Sequence, residues 1–470
     1  MTISEMKLAV IGAGPAATGI LAALNDHRLL DNSAVILTGA SFNEPSVALS
    51  GVLPKEPNQS ISSFGLPTVR AYGPGGTTSI WHGGLFVPDP SDRIRYNSGA
   101  AIDLSSGLQC IMRSETIAKL PVSKGLRLVT KQVEVSNAGG HSSWRTIMVP
   151  KAPSLVSPFS FAQQTNIAVL GDVALSIRPR RKSGWEIRSI SASGVKIIHA
   201  SKVVLAAGSL STLALLGEVA GVTEMDFSDH LHVFVGSISK RALPSQLAKV
   251  LFSYSGVLRS YSARAVWKKS IEIDNTIIDV ALSFRPVADP DFPRTGRRYG
   301  EFLTSRSKNI YEKSVLAVQN PLTSIEMLAL KYGISLPFDA ILVHATISMA
   351  CPSGSVRGRE VEFRPNKVLA AAAAKAVLLD FANFHSIPDN YFNIFEESDV
   401  CNSVVSGAQF SASEESSGRV EDIIKTSKRS LFVADTSAFK FTSVYNQGML
   451  SLVHGYKEGI RLSETMIEQS

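Results

Sequence analysis

Cysteine is scarce. Only Cys110, Cys351 and Cys401 occur in 470 positions, far apart and with no CxxC, which argues against a disulfide framework and a cysteine-based zinc site. Long apolar runs are missing too. The closest approach, Val203 to Gly217, ends at Glu218 and is broken by Gly208, Ser209, Ser211 and Thr212, so no membrane span is expected. Met1 to Lys7 carries Glu5 and runs straight into a strand-like segment, unlike a signal peptide. No HExxH, EF-hand loop or other metal spacing occurs, and no metal is expected. Neither sign of charge dominates. Lys and Arg number 47 against 40 Asp and Glu, leaving +7, a mild excess that permits an anionic ligand without demanding nucleic acid. The most basic stretch, Arg178-Pro179-Arg180-Arg181-Lys182, lacks interleaved aromatics and reads as a solvated hairpin tip, with a phosphate patch as the sharper alternative. These absences together suggest a soluble protein of a reducing, cytoplasmic compartment.

What is present is a hydrophobic share of 44% with 19% charged residues, too apolar for intrinsic disorder. A length prior of about 100–200 residues per domain allows two to four domains, with two favoured. Leu8 to Ile11 is a short apolar run stopping at glycines, Pro15 to Leu24 has helix-forming composition, and Ala34 to Leu37 is apolar again. Strand, glycine turn, helix and strand make a βαβ unit, which implies a parallel sheet with helical cover. Phe42 to Pro67, rich in Ser, Pro and Asn, reads as a long functional loop. From Asp92 to Pro158 the pattern is irregular. Ile167–Leu170, Val173–Ile177, Trp185–Ile190 and Val195–His199 read as a small antiparallel meander leading into a buried strand, Lys202–Ala207. Ala370–Leu379 is a strong helix former. Leu431–Ala434 reads as a strand, Gly448–Leu462 as a terminal helix.

Chemistry enters with Gly12-Ala13-Gly14-Pro15-Ala16-Ala17, a GxGxxA between strand and helix. Gly12 allows the tight turn, Gly14 lets backbone approach a pyrophosphate, and Ala17 is small enough for close helix–strand packing. The helix N-terminus offers unpaired N–H groups to the anion. The acidic residue that ends the second strand in such units is absent; Thr38 stands there with one hydroxyl.

Three further segments follow. They are Tyr72-Gly73-Pro74-Gly75-Gly76-Thr77-Thr78-Ser79-Ile80-Trp81-His82-Gly83-Gly84, Lys202 to Leu210 with Ser228-Asp229-His230-Leu231-His232 after it, and Leu431 to Phe439 with Thr442 to Gln447 after it. In this order, and with the N-terminal turn, they resemble the glucose–methanol–choline (GMC) family of FAD-dependent oxidoreductases. The resemblance implies FAD, a discontinuous Rossmann-like FAD-binding domain and a second α+β substrate domain on a mostly antiparallel sheet. The expected division is 1–90, 160–236 and 425–470 for FAD, and 91–159 and 237–424 for the substrate. The cofactor-side residues implied are Gly12, Gly14, Ala17, Thr38, Gly75, Gly76, Thr77, Val173, Ala207, Gly208, Asp435, Asn446 and Gln447. Asp435, after a buried strand, is placed to accept ribityl or ribose hydroxyls, or else caps a turn. Ile80 occupies the position where some sugar-oxidising relatives attach FAD, so noncovalent FAD is expected.

The family's proton-abstracting histidine opens a His-x-x-Gly-Thr segment; here Val404-Val405-Ser406-Gly407-Ala408 matches, with valine in its place. Valine accepts no proton. Asn446 matches the second member of the pair and can orient a hydroxyl, but asparagine is no base. His82 in the glycine loop and His344 on the apolar strand Ile341–Met349 are the candidate replacements, each weighed against a structural role. Tyr445 is a weaker candidate, and His454 reads as packing or exposed. The reading is therefore oxidation of a hydroxyl group on a small alcohol, sugar-like or secondary-metabolite substrate, the electron acceptor being open. A flavoprotein with non-alcohol or non-redox chemistry, or a catalytically silent binding relative, remains the alternative.

Overall fold

The run Leu8–Ile11 has no polar alternation because both faces of its strand are covered, as in parallel sheets with helices on each side. In the computed structural model the described residues are 2–39, 53–54, 104–120, 122–123, 126–127, 143–150, 167–191, 194–245, 247–248, 261–290, 310–319, 321–322, 324–326, 336–358, 360–440, 444 and 447–468. Among them the strands are β1 (Thr2–Ile11), β2 (Ala34–Leu37), β3 (Leu53–Pro54), β4 (Trp144–Pro150), β5 (Ala168–Leu170), β6 (Val173–Pro179), β7 (Trp185–Ser191) and β8 (Gly194–Leu205). There follow β9 (Met225–Ser239), β10 (Tyr261–Ile273), β11 (Thr276–Pro286), β12 (Ala340–Met349), β13 (Gly354–Arg357), β14 (Glu360–Phe363), β15 (Phe392–Ile394), β16 (Val405–Ala412) and β17 (Leu431–Val433). The helices are α1 (Pro15–Asp26), α2 (Leu104–Arg113), α3 (Glu115–Ala118), α4 (Ser209–Ala220), α5 (Ile310–Gln319), α6 (Lys367–Phe384), α7 (Glu397–Asn402), α8 (Glu414–Thr426) and α9 (Gln447–Ile467).

Two sheets organise the chain. The first runs β5-β2-β1-β8-β7-β6, with β17 also on β8. Its centre is β8, one continuous strand where the sequence suggested two segments. Its N-terminal half pairs antiparallel with β7 and its C-terminal end parallel with β17, while β1 lies parallel along its other edge. The meander expected from four segments has three, β6-β7-β8; β5 instead lies parallel to β2. The stretch expected to be irregular holds α2, α3 and β4. Of the Phe42–Pro67 loop only β3 is described; it pairs with β14.

Helix α1 and the C-terminal α9 cross in near-backbone contact on this sheet. A Cβ at Gly455 would lie 2.2 Å from the Ala16 carbonyl oxygen, so two sequence-distant segments are held together by the lack of a side chain.

The second sheet runs β3-β14-β13-β9-β12-β11-β10-β4, with β15 and β16 on β9, and only its β3–β14 pair is parallel. Strand β9 is its spine and runs across the boundary expected at residue 236. One face of this sheet is apolar: Leu231, Val233, Trp267, Leu282, Val343 and Ala345 pack with α6 through Ala370, Ala374, Val377 and Phe381. The alanines of α6 bring helix and sheet close. The opposite face is a different surface, and it forms half of the candidate site.

Candidate functional site

At the carboxyl ends of the parallel strands the pairing continues to the last residue. Gly12 N–H donates to the Leu37 carbonyl, Ala206 N–H to that of Ile11 and Ala434 N–H to that of Leu205, each at 2.8 Å. The turns therefore leave from one place. Gly12 has φ +120°, and a Cβ there would fall 2.0 Å from the Ala206 carbonyl oxygen, so no side chain is tolerated. Gly14 caps α1 without a side-chain hydrogen bond, Pro15 opens the helix, and no acidic residue lies in its first turn. The positive end of the helix is thus left to a ligand. Ala17 is fully buried behind the turn.

A second glycine turn lies beside it. Gly208, at φ +80°, caps α4. Its N–H donates to Asp435 Oδ2 at 2.9 Å, and Thr212 Oγ1 donates to the same oxygen at 2.5 Å. Oδ1 accepts from the Ser437 N–H at 3.0 Å and from its hydroxyl at 2.6 Å. Both carboxylate oxygens thus serve protein donors, and Asp435 also caps the short turn Thr436–Ala438. Burial pushes its carboxyl above the ordinary value, against the pull of those donors. Asp435 is a clamp between two motifs that lie 227 positions apart.

These turns wall a cavity of about 590 Å³, lined by Gly12 to Ala16, Thr38, Val173, Ala206 to Gly208 and Asp435 among others. It lies at the carboxyl ends of the strands, where open α/β sheets bind ligands. Thr38 spends its hydroxyl on the Leu170 carbonyl at 3.0 Å. Asp172, unremarked in the sequence, also lines the cavity; its carboxylate is buried with Lys196 at 3.2 Å and Ser189 at 3.1 Å. Gly75, Gly76, Thr77, Ile80, His82, Tyr445 and Asn446 lie outside the described residues, and Gln447 begins α9. A long cleft with two glycine turns and an uncapped helix N-terminus fits a dinucleotide such as FAD.

The polar face of the second sheet supplies different chemistry. On β9, His230 and His232 alternate with Leu231 and Val233 of the apolar core, and period 2 puts the imidazoles on the opposite face. His344 on β12 joins them. Its ring stacks on His232 with centroids 4.7 Å apart and 30° between planes, and His230 meets His232 edge-on at 4.9 Å. Burial pushes His232 and His344 well below the ordinary histidine value, and the neighbouring imidazoles and Arg285 act in the same direction. Val444, two positions before Asn446, packs with Val266 and Ala281 of β10 and β11. Ala281 alternates with the core residues Val280 and Leu282, so the C-terminal segment reaches the histidine face.

Val404 points the other way. It is 2% exposed and belongs to the apolar core beneath α6, while Val405 stands opposite His232. The other two motif residues are explained by packing. Ser406 Oγ and the Gln409 N–H both donate to Asp229, and a Cβ at Gly407 would fall 1.9 Å from the His230 ring. The Asp-His and Val-x-x-Gly segments are therefore two halves of one contact. His454 packs: its Nε2 lies 3.0 Å from the Val433 carbonyl. The basic tip is the β6–β7 turn, where Arg178 pairs with Glu218 and Arg180 with Glu5, leaving Arg181 and Lys182 exposed. The contact of His232 with His344 was not legible in sequence; the only signal was a polar residue at alternate positions of apolar strands.

No protein-family profile matches the chain, and no curated protein sequence does. Solved structures do match over nearly its whole length. Formate oxidase from Aspergillus oryzae RIB40 superposes with a TM-score of 0.55 at 11% identity, covering 99% of this chain and 99% of that chain. Pyridoxine 4-oxidase from Mesorbium loti gives 0.52 at 12% identity, covering 98% and 99%. A fungal aryl-alcohol oxidase gives 0.51 at 10%, covering 98% and 99%. These neighbours are consistently GMC FAD-dependent oxidoreductases, and the chain has their fold. Among the described residues no helix is long and apolar enough to cross a membrane, and no group of side chains is arranged for a metal.

Proposed function

We propose that this chain is an FAD-dependent oxidoreductase that oxidises a hydroxyl group of a small alcohol, sugar-like or secondary-metabolite substrate. The observation that carries the reading is the glycine-walled cavity at the strand ends, open to the bare N-terminus of α1. The neighbours support it through their names, which include oxidases of pyridoxine and of aryl alcohols. Residues 1–90, 160–236 and 425–470 would form the FAD domain, and 91–159 with 237–424 the substrate domain. Bound FAD would supply a two-electron acceptor for hydride, held noncovalently.

The chain's own residues then divide the work. The first-turn N–H groups of α1, with Gly12 and Gly14 leaving room for close approach, hold the pyrophosphate. Thr38 and Val173 border the adenosine half. Gly75, Gly76 and Thr77 cover the pyrophosphate, and Asn446 with Gln447 faces the ring system. His344 takes the hydroxyl proton, Asn446 orients the oxygen, and His82 is the second candidate acceptor. One observation favours a different reading, in which flavin serves non-alcohol or non-redox chemistry: the place of the family's base is a buried core valine.

The test is spectroscopic. Purified protein should show flavin absorption, release it to the supernatant on acid precipitation, and bleach anaerobically with an alcohol from a broad panel. Colourless protein that cannot be reconstituted with FAD refutes the proposal. Flavin reduced only by a non-alcohol substrate transfers it to the second reading.

A further inference from the structure

Ser283 of β11 stands directly opposite His344 of β12 in the antiparallel register. Its Oγ is 3.2 Å from His344 Nδ1 and also 3.2 Å from the His344 main-chain carbonyl oxygen. A hydroxyl owns one hydrogen, and a carbonyl can only accept. The Ser283 hydrogen therefore goes to the carbonyl, and the Ser283 oxygen is left to accept from the ring. Nδ1 must then carry the imidazole proton, and in a neutral ring Nε2 is bare.

The ring is also fixed in place. It is 4% exposed, with His232 stacked at 4.7 Å and Phe234 edge-on at 5.3 Å. Nε2 has no hydrogen-bonding partner among the described residues. His232 differs: its Nδ1 faces Thr346 Oγ1 at 3.3 Å, and no carbonyl claims that hydroxyl's hydrogen. Of the two stacked imidazoles, only His344 has its tautomer decided by its neighbours.

We propose that Ser283 is a positioning residue that locks His344 in the tautomer with Nε2 free, making Nε2 the acceptor of the substrate's hydroxyl proton. This rests on the oxidoreductase reading above. In the step it serves, the O–H bond breaks, its proton forms an N–H bond at Nε2, and the electron pair stays on oxygen. The carbon-bound hydrogen leaves as hydride to FAD, and the oxygen closes to a carbonyl. The imidazole ends as a cation, so resting neutrality matters. His230 and His232 from β9 and Arg285 from β11 all face the ring, and each disfavours a positive charge on it.

The experiment compares Ser283→Ala and Ser283→Thr with the wild type in two measurements. In ¹⁵N-histidine-labelled protein without substrate, the His344 resonances, assigned through His344→Gln, should show a bare Nε2 and a protonated Nδ1 at neutral pH. Ser283→Ala should mix the tautomers, and Ser283→Thr should restore the wild-type pattern. In anaerobic flavin reduction, Ser283→Ala should lower the limiting rate by about 10²-fold while the half-saturating substrate concentration moves less than about threefold, with rescue by Ser283→Thr. A proton on Nε2 of the wild type overturns the proposal. So does a Ser283→Ala protein whose tautomer and rate are both unchanged. Wild-type protein that takes up no flavin, or whose flavin no alcohol reduces, refutes the parent reading and the base role with it; the resonance measurement separates that failure from a failure of the Ser283 lock.

Discussion

Truncating Asp435 is the sharpest test of how the two glycine turns are held. Its carboxylate accepts from two amides, Gly208 and Ser437, and two hydroxyls, Thr212 and Ser437. In Asp435→Ala the hydroxyls can rotate toward other acceptors, but the amides cannot. Each buried amide left unpaired costs about 1–3 kcal/mol, so the loss should be about 2–6 kcal/mol. That is a large share of a typical stability of about 5–15 kcal/mol. Asp435→Asn keeps one acceptor oxygen and turns an NH2 group toward the other amide, so its loss should fall near half as much. The assay is equilibrium urea denaturation followed by fluorescence, with FAD uptake measured on the same samples. The order should be wild type, then Asn, then Ala, and uptake should weaken in the same order because Gly208 walls the cavity. An Asp435→Ala protein within about 1 kcal/mol of wild type would refute the clamp.

Two further outcomes follow from the second sheet. Val404→His should not supply a base, because that side chain enters the core beneath α6; burying an imidazole there should cost about 1–3 kcal/mol and leave flavin reduction no faster, whereas a stable variant with a tenfold gain in rate would contradict the placement. Acid should destabilise the protein through His344, whose folded value lies below that of the unfolded chain. Below pH about 6.5 the unfolded chain binds the extra proton, so stability should fall by up to about 1.4 kcal/mol per pH unit until the folded ring itself protonates; His344→Gln should flatten that dependence in denaturation midpoints between pH 7.5 and 5.5, and an unchanged slope would exclude it.

Local rules made much of this chain readable. Leu8–Ile11, the Gly12–Ala17 turn and α1 were legible because a strand end, a glycine and a helix start are decided within a few residues. The α6 helix was legible from its alanines, and the alternation along β9 from period 2. The meander was misread at β5 because parallel and antiparallel edge strands look alike in sequence. The stretch holding α2, α3 and β4 was missed because its elements are short and lack a sustained period.

The sequence by itself determined that a βαβ unit opens on a glycine turn, that four motifs stand in a fixed order, and that valine replaces a histidine at 404. Tertiary structure alone decided that Val404 faces the core, that Asp435 serves Gly208 and Thr212, and that Ser283, His344 and His232 meet. The physical reason is that those contacts join strands and turns separated by tens to hundreds of residues. Period 2 says that a strand has two faces; only the packed sheet says which face meets α6 and which faces the site.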